Sequence, residues 1–180
     1  MKKNINYFYL VFFLMLNLSN LYSQDLYNLD KKFGFNKFKL ESNFNLYEKQ
    51  LKFKLTGYDK VKYYEYTGKD IGLVFGCIVK KVNLGFYNQQ LYTISIDFIA
   101  NNENDDKRIQ SELKDLFGYQ NITYSAHSSD KEFEWAISWK TGKTYLQANK
   151  VSCDDKYNPC EVEIFLYSLK LRNDVKNNQF

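Results

Sequence analysis

From about residue 60 onward, apolar side chains recur at every second position, and they do so in several separate runs. "IGLVFGCIV" places Ile71, Leu73, Phe75, Cys77 and Val79 on one face, and "KVNLGF" does the same with Val82, Leu84 and Phe86. After the polar turn "YNQQ", "LYTISIDF" sets Tyr92, Ile94, Ile96 and Phe98 inward. "EFEWAISW" follows with Phe133, Trp135, Ile137 and Trp139, and "CEVEIFLYSLKL" with Val162, Ile164 and Leu166. A period of two is the signature of strands covered on one side, and short polar connections such as "KTGK" favour antiparallel neighbours. "KVKYYEY", "NITYSAH" and "TYLQANKV" add further strands, and "FGFNKFKL" (33–40) predicts a first one.

Two stretches carry helical spacing instead. "SNFNLYEKQLKFKL" offers Ser42 or Asn43 as a cap and Phe44, Tyr47 and Leu51 as a stripe, with Gly57 after it. "NNENDDKRIQSELKDLFG" offers Asn104 or Asp105 as a cap, a stripe of Ile109, Leu113, Leu116 and Phe117, and Gly118 past the last turn. Strand, helix, strands, helix, strands is the order of an α+β fold. The expectation is an antiparallel sheet of seven to eight strands with two helices packed on one side, in two coarse helix-plus-meander halves. Residues 172–180 hold charge and amide with little to bury, which predicts a frayed tail beyond a single domain spanning 24–171.

The first residues obey a different pattern. Lys2 and Lys3 precede a nearly unbroken apolar run from Tyr7 to Leu18, and no acid occurs before Asp25. Twelve helical residues reach about 18 Å, short of the roughly 30 Å hydrocarbon core of a bilayer. A basic start, a short apolar centre and a small residue before a polar one describe a signal peptide over 1–23, cut between Ser23 and Gln24. An uncleaved anchor is the competing reading. The expected address is the periplasm or the extracellular space, with no membrane span in the mature chain.

Removing the leader alters the charge. The full chain has 25 basic and 21 acidic residues; without Lys2 and Lys3 the balance is 23 to 21, so a net +4 becomes +2. Such a small, interspersed charge does not point to nucleic acid.

Export also changes what the three cysteines mean. Cys77 sits in an apolar stretch and reads as a small buried hydrophobe. Cys153 and Cys160 bracket "DDKYNP", where Asn158-Pro159 signals a turn. In an oxidising compartment they are expected to form a disulfide, a short-loop staple of roughly 2.5 kcal/mol in the chain-entropy estimate. Asp154, Asp155 and Asn158 lack the spacing of a calcium loop, and a single histidine leaves zinc without ligands, so neither metal nor cofactor is expected.

Catalytic motifs are sparse. "TGKT" (141–144) matches the tail of a phosphate-binding loop, but Ile137 stands where the leading glycine belongs and a strand follows. His127, with Ser125, Ser128, Ser129 and Asp130, crowds one polar turn rather than converging from distant segments. Glu132 with Glu134, and Glu161 with Glu163, could face one way along a strand as acid pairs, though alternation with apolar residues describes a wet sheet face. Aromatics are abundant: Tyr and Phe number 16 and 15, and "YYEY" holds Tyr63, Tyr64 and Tyr66 as a candidate binding surface. The expectation is a non-enzymatic exported module that binds a protein or an envelope glycan. An envelope hydrolase and a structural or assembly factor of the envelope are the alternatives.

Overall fold

The computed structural model describes residues 29–118, 127–128, 131–151 and 160–178, with backbone alone at 127, 128, 131–134, 151 and 160. The class is α+β, built on antiparallel sheet. The described chain starts in a helical turn at 29–32 and enters a small hairpin, β1 (Gly34–Phe35) and β2 (Phe38–Lys39). The main sheet is formed by β3 (Leu51–Thr56), β4 (Lys62–Tyr66), β6 (Cys77–Tyr87), β7 (Gln90–Ala100), β8 (His127–Ser128), β9 (Lys131–Lys140), β10 (Thr144–Val151) and β11 (Cys160–Ser168). Their order is β3-β4-β6-β7-β11-β10-β9-β8, and β5 (Leu73–Val74) pairs beside the start of β6. Helix α1 (Glu103–Phe117) follows β7, and α2 (Leu169–Asn177) follows β11. The two halves are therefore meanders that each trail a helix, joined through β7 and β11.

One face of this sheet is the core. Leu84, Ile94, Ile96, Phe98, Leu146, Val162, Ile164 and Leu166 are all essentially inaccessible there. Full burial of such side chains contributes about 1.5–3 kcal/mol each. Over part of it lies α1, which buries Ile109, Leu113 and Phe117 and sets Phe117 edge-on to Trp139, 6.0 Å between ring centres. The indole N–H of Trp139 donates to the carbonyl of Gly118 at 2.9 Å. Gly118, at φ 73°, turns the chain out of the helix as its sequence position predicts. The N-cap is Asn102 rather than Asn104 or Asp105. Its extended backbone lets its side chain accept from the N–H groups of Asn104 and Asp105.

The place of a second helix on this face is taken by the N-terminal segment. Over 42–56 the chain makes two 3-10 turns, Phe44–Leu46 and Glu48–Gln50, and then runs into β3. The period-two alternation of "LKFKLT" overrides the helical spacing because it can pair with β4. Phe38 packs edge-on against Tyr47 and Tyr66 at 5.4 and 5.0 Å. Segment 41–44 is clipped to the β6–β7 turn by the Phe44 N–H donating to the Gln89 carbonyl and the Leu91 N–H to that of Ser42, both 2.8 Å.

Two irregularities shift faces that strict alternation predicts. The apolar run 71–79 is a tight hairpin, turned at Phe75 and Gly76 (φ 50° and 70°), so Leu73 is exposed while Val74 is buried. At the end of β7 the register skips Tyr92, pairing Gly85 with Thr93 and Phe86 with Leu91. Leu91 thereby replaces Tyr92 in the core, and Tyr92 faces the reverse side.

The expected tail is instead the helix α2 up to Asn177. Ser168 caps it by accepting from the Leu171 N–H at 3.2 Å, and Leu171 and Val175 are buried one turn apart. Val175 packs with Val61, Tyr63, Tyr87 and Tyr92 on the reverse face, while Arg172 lies 4.8 Å from the Tyr167 ring centre. Two apolar residues at helical spacing suffice once a partly aromatic sheet face is there to receive them. The expected leader (1–23), the expected Ser23–Gln24 cut and Cys153 lie outside the described residues, as does the side chain of Cys160. Cys77 is buried with a free thiol. Among the described residues no helix is long and apolar enough to cross a membrane.

Candidate functional site

The face opposite the core carries a different chemistry, organised in rungs across the strands. Antiparallel register aligns Leu55, Tyr63, Gly85, Thr93 and Tyr167 as one rung. Asn83, Ser95, Phe165, Gln147 and Ser138 form the next, and Lys81, Asp97, Glu163 and Asn149 the third. A groove of about 360 Å³ runs over the first two rungs and onto the third, bordered by Leu55, Tyr63, Asn83, Ser95, Glu163 and Phe165. It crosses five strands, from β3 to β11, a span of about 19 Å at ordinary strand spacing.

Local irregularities make the groove. Lys54 is a bulge residue, because Phe53 pairs with Tyr64 while Leu55 pairs with Tyr63. That single extra residue brings Leu55 onto the groove side and sends Phe53 to the other, where it meets Tyr64 edge-on at 5.5 Å. At the floor, Gly85 leaves room for the Tyr63 ring. A Cβ there would stand 2.5 Å from the Thr93 methyl and 3.0 Å from the Tyr63 ring. The Tyr63 hydroxyl donates to Asp59 at 3.4 Å, and burial, reinforced by Asp59, pushes its pKa up to about 12. It is therefore a neutral donor throughout the physiological range.

At the third rung Glu163 borders the groove, and Asp97, which does not line it, is its register partner across β7 and β11. Ser95 donates to Glu163 at 3.1 Å and reaches Asp97 at 3.4 Å, so one hydroxyl stands between the two carboxylates. Burial, with the nearby charge of Glu161 adding to it, raises the Asp97 pKa, against Lys81, Glu163 and Ser95 pulling it down. The pair offers carboxylate oxygens that can accept hydrogen bonds.

The three tyrosines of "YYEY" do not make one surface. Tyr63 lines the groove. Tyr64 points the other way, into a cluster with Phe44, Phe53 and Phe86. Tyr66 is 7% exposed and belongs to the core, where its hydroxyl donates to Asp70 at 2.5 Å. Alternation separates Tyr63 from Tyr64, and the N-terminal segment covers Tyr66. Glu161 is held by Lys80 at the surface, apart from Glu163, which pairs across the sheet instead. His127 lies in β8, at the far edge of the sheet from the groove, and its side chain lies outside the described residues together with those of Glu132 and Glu134. No cluster of three or more His, Cys, Asp or Glu that could hold a metal occurs among the described residues.

Sequence reasoning missed Asn83, Ser95, Asp97 and Phe165. The signal was present at the outward positions Asn83, Thr93, Ser95 and Asp97 of β6 and β7, which carry amide, hydroxyl and short carboxylate groups where long charged side chains are usual on a wet sheet face. No family model, curated protein or solved structure matches this chain.

Proposed function

We propose that this protein is an exported, non-enzymatic binding module whose ligand, an envelope glycan, lies in the groove across the sheet's outer face. The observation that carries the reading is the pairing of two half-buried rings, Tyr63 and Phe165, with the hydrogen-bonding side chains of Asn83, Ser95 and Glu163 in one groove. Sugars present apolar ring faces and hydroxyl edges together, and they are held by aromatic side chains beside planar acceptors and amides. The span across the strands suits a short oligosaccharide. Export rests on the basic, then apolar leader of residues 1–23.

Calorimetric titration with oligosaccharides released from the producing cell's own envelope tests this. Phe165→Ala and Asn83→Ala should each weaken binding, with the fold checked by circular dichroism. Unchanged affinity in both variants would remove the groove from the account.

A second reading, a protein partner, has one observation in its favour. β3 is an edge strand of the sheet, and Phe53 and Leu55 on it are each 54% exposed. A partner strand could add to that edge. Phe53→Lys would abolish such pairing and leave glycan binding untouched.

A further inference from the structure

A second cleft, of about 630 Å³, opens where the helical turn at 29–32, β2, the β9–β10 turn and α2 meet. Its charge is unbalanced. Lys31, Lys39, Lys143 and Lys170 line it, one from each of these four segments, against two carboxylates, Asp30 and Glu41. Both carboxylates are already engaged. Asp30 accepts from the Thr141 hydroxyl and, at 3.2 Å, from the Lys143 N–H. Glu41 accepts from the Ser168 hydroxyl at 2.6 Å and pairs with Lys170 at 3.6 Å. Lys31, Lys39 and Lys143 are exposed, and their ammonium groups have no ion-pair partner among the described residues.

Backbone geometry singles out the same place. Phe33 and Glu41 both border the cleft with φ of 43° and 62°, a left-handed conformation that residues with a Cβ rarely adopt. Such strain persists only where the surrounding structure enforces it. Here it turns the chain so that Lys31, Lys39 and Glu41 face one opening. Four lysines from four separate segments against two engaged carboxylates leave the cleft with a net positive field, which favours an anion.

We propose that this cleft binds a multiply charged anion of the phosphate class, held by Lys31, Lys39 and Lys143. Asp30 occupies the Thr141 hydroxyl and the Lys143 N–H of the "TGKT" turn, so the ligand meets lysine ammonium groups and not a phosphate-cradling loop. Phe33 and Leu169 supply apolar walls suited to whatever carries the phosphate. The inference concerns a cleft separate from the groove and stands without the glycan reading.

The test is calorimetric titration of the mature protein at low ionic strength with inorganic phosphate, pyrophosphate and glucose 6-phosphate. Pyrophosphate should bind more tightly than chloride or acetate, and the K39Q/K143Q variant should bind it about tenfold more weakly, the loss of two charge-assisted contacts. A K49Q/K52Q variant, altered at the β3 end of the molecule, should bind as the wild type does. Tighter binding of glucose 6-phosphate than of inorganic phosphate would place the phosphate on a sugar; equal binding would make the free anion the ligand. An unaltered affinity in K39Q/K143Q, or no preference for pyrophosphate over chloride, overturns the proposal.

Discussion

Helix α1 is fastened to the sheet by an ion pair that water scarcely reaches. Lys150 on β10 donates to Asp106 in the first turn of α1 at 2.6 Å, with the two side chains 8% and 7% exposed. The second carboxylate oxygen, Oδ1, is buried with no hydrogen-bond partner among the described residues. At an effective dielectric of 20 the attraction at this distance is about 6 kcal/mol, before the cost of dehydrating both ions. Lys150→Met removes that attraction and strands a dehydrated carboxylate under the helix. The expected loss is about 3–5 kcal/mol, which for a domain of this size lowers the midpoint of melting by roughly 6–20 °C. Urea unfolding followed by circular dichroism measures it directly. The double replacement D106L/K150M should recover most of the loss, because neither charge is then left alone. A single variant within 1 kcal/mol of wild type, or a double variant worse than the single, would refute the reasoning.

Other consequences follow from particular residues. Ile96→Ala, at the inaccessible centre of β7, should cost about 2–5 kcal/mol by urea unfolding, whereas Ile78→Ala, 62% exposed, should cost well under 1 kcal/mol. The raised pKa of Asp97 means that the folded state keeps a proton that the unfolded chain releases near 3.8. Stability should therefore fall as pH rises above that value, and Asp97→Asn should flatten this part of the pH–stability curve; identical curves would remove the raised Asp97 pKa from the account. Iodoacetamide should leave the native mature protein unlabelled and, under denaturing, non-reducing conditions, modify Cys77 alone, whereas labelling at Cys153 or Cys160 would show that the expected disulfide does not form.

The sheet was legible because its strands alternate without interruption wherever the core is deepest. Val82, Leu84 and Phe86, and Val162, Ile164 and Leu166, are buried as their spacing predicts. Alternation fails where one residue changes the phase, at Tyr92 and Lys54, and where a turn hides inside an apolar run, at Phe75-Gly76. A bulge has no composition of its own, so periodicity alone does not reveal it. Segment 42–56 shows the limit of local spacing: Phe44, Tyr47 and Leu51 lie on a helical stripe, yet pairing with β4 decides the outcome. Val175 was unreadable for a similar reason, since its partners Val61 and Tyr87 are more than 80 residues away in sequence. The groove was hidden most deeply. Asp97 and Glu163 come from different halves, and only the β7–β11 pairing brings them side by side. The "YYEY" run drew attention by composition, and one of its three tyrosines reached the site.

The claim that an oligosaccharide lies across the strands is tested most directly by amide chemical-shift mapping, titrating the labelled mature protein with envelope oligosaccharides. The account predicts that the shifted amides trace a line over Tyr63, Asn83, Ser95 and Phe165, perpendicular to the strands. Shifts confined to β3, or none in the groove at saturating sugar, would contradict it.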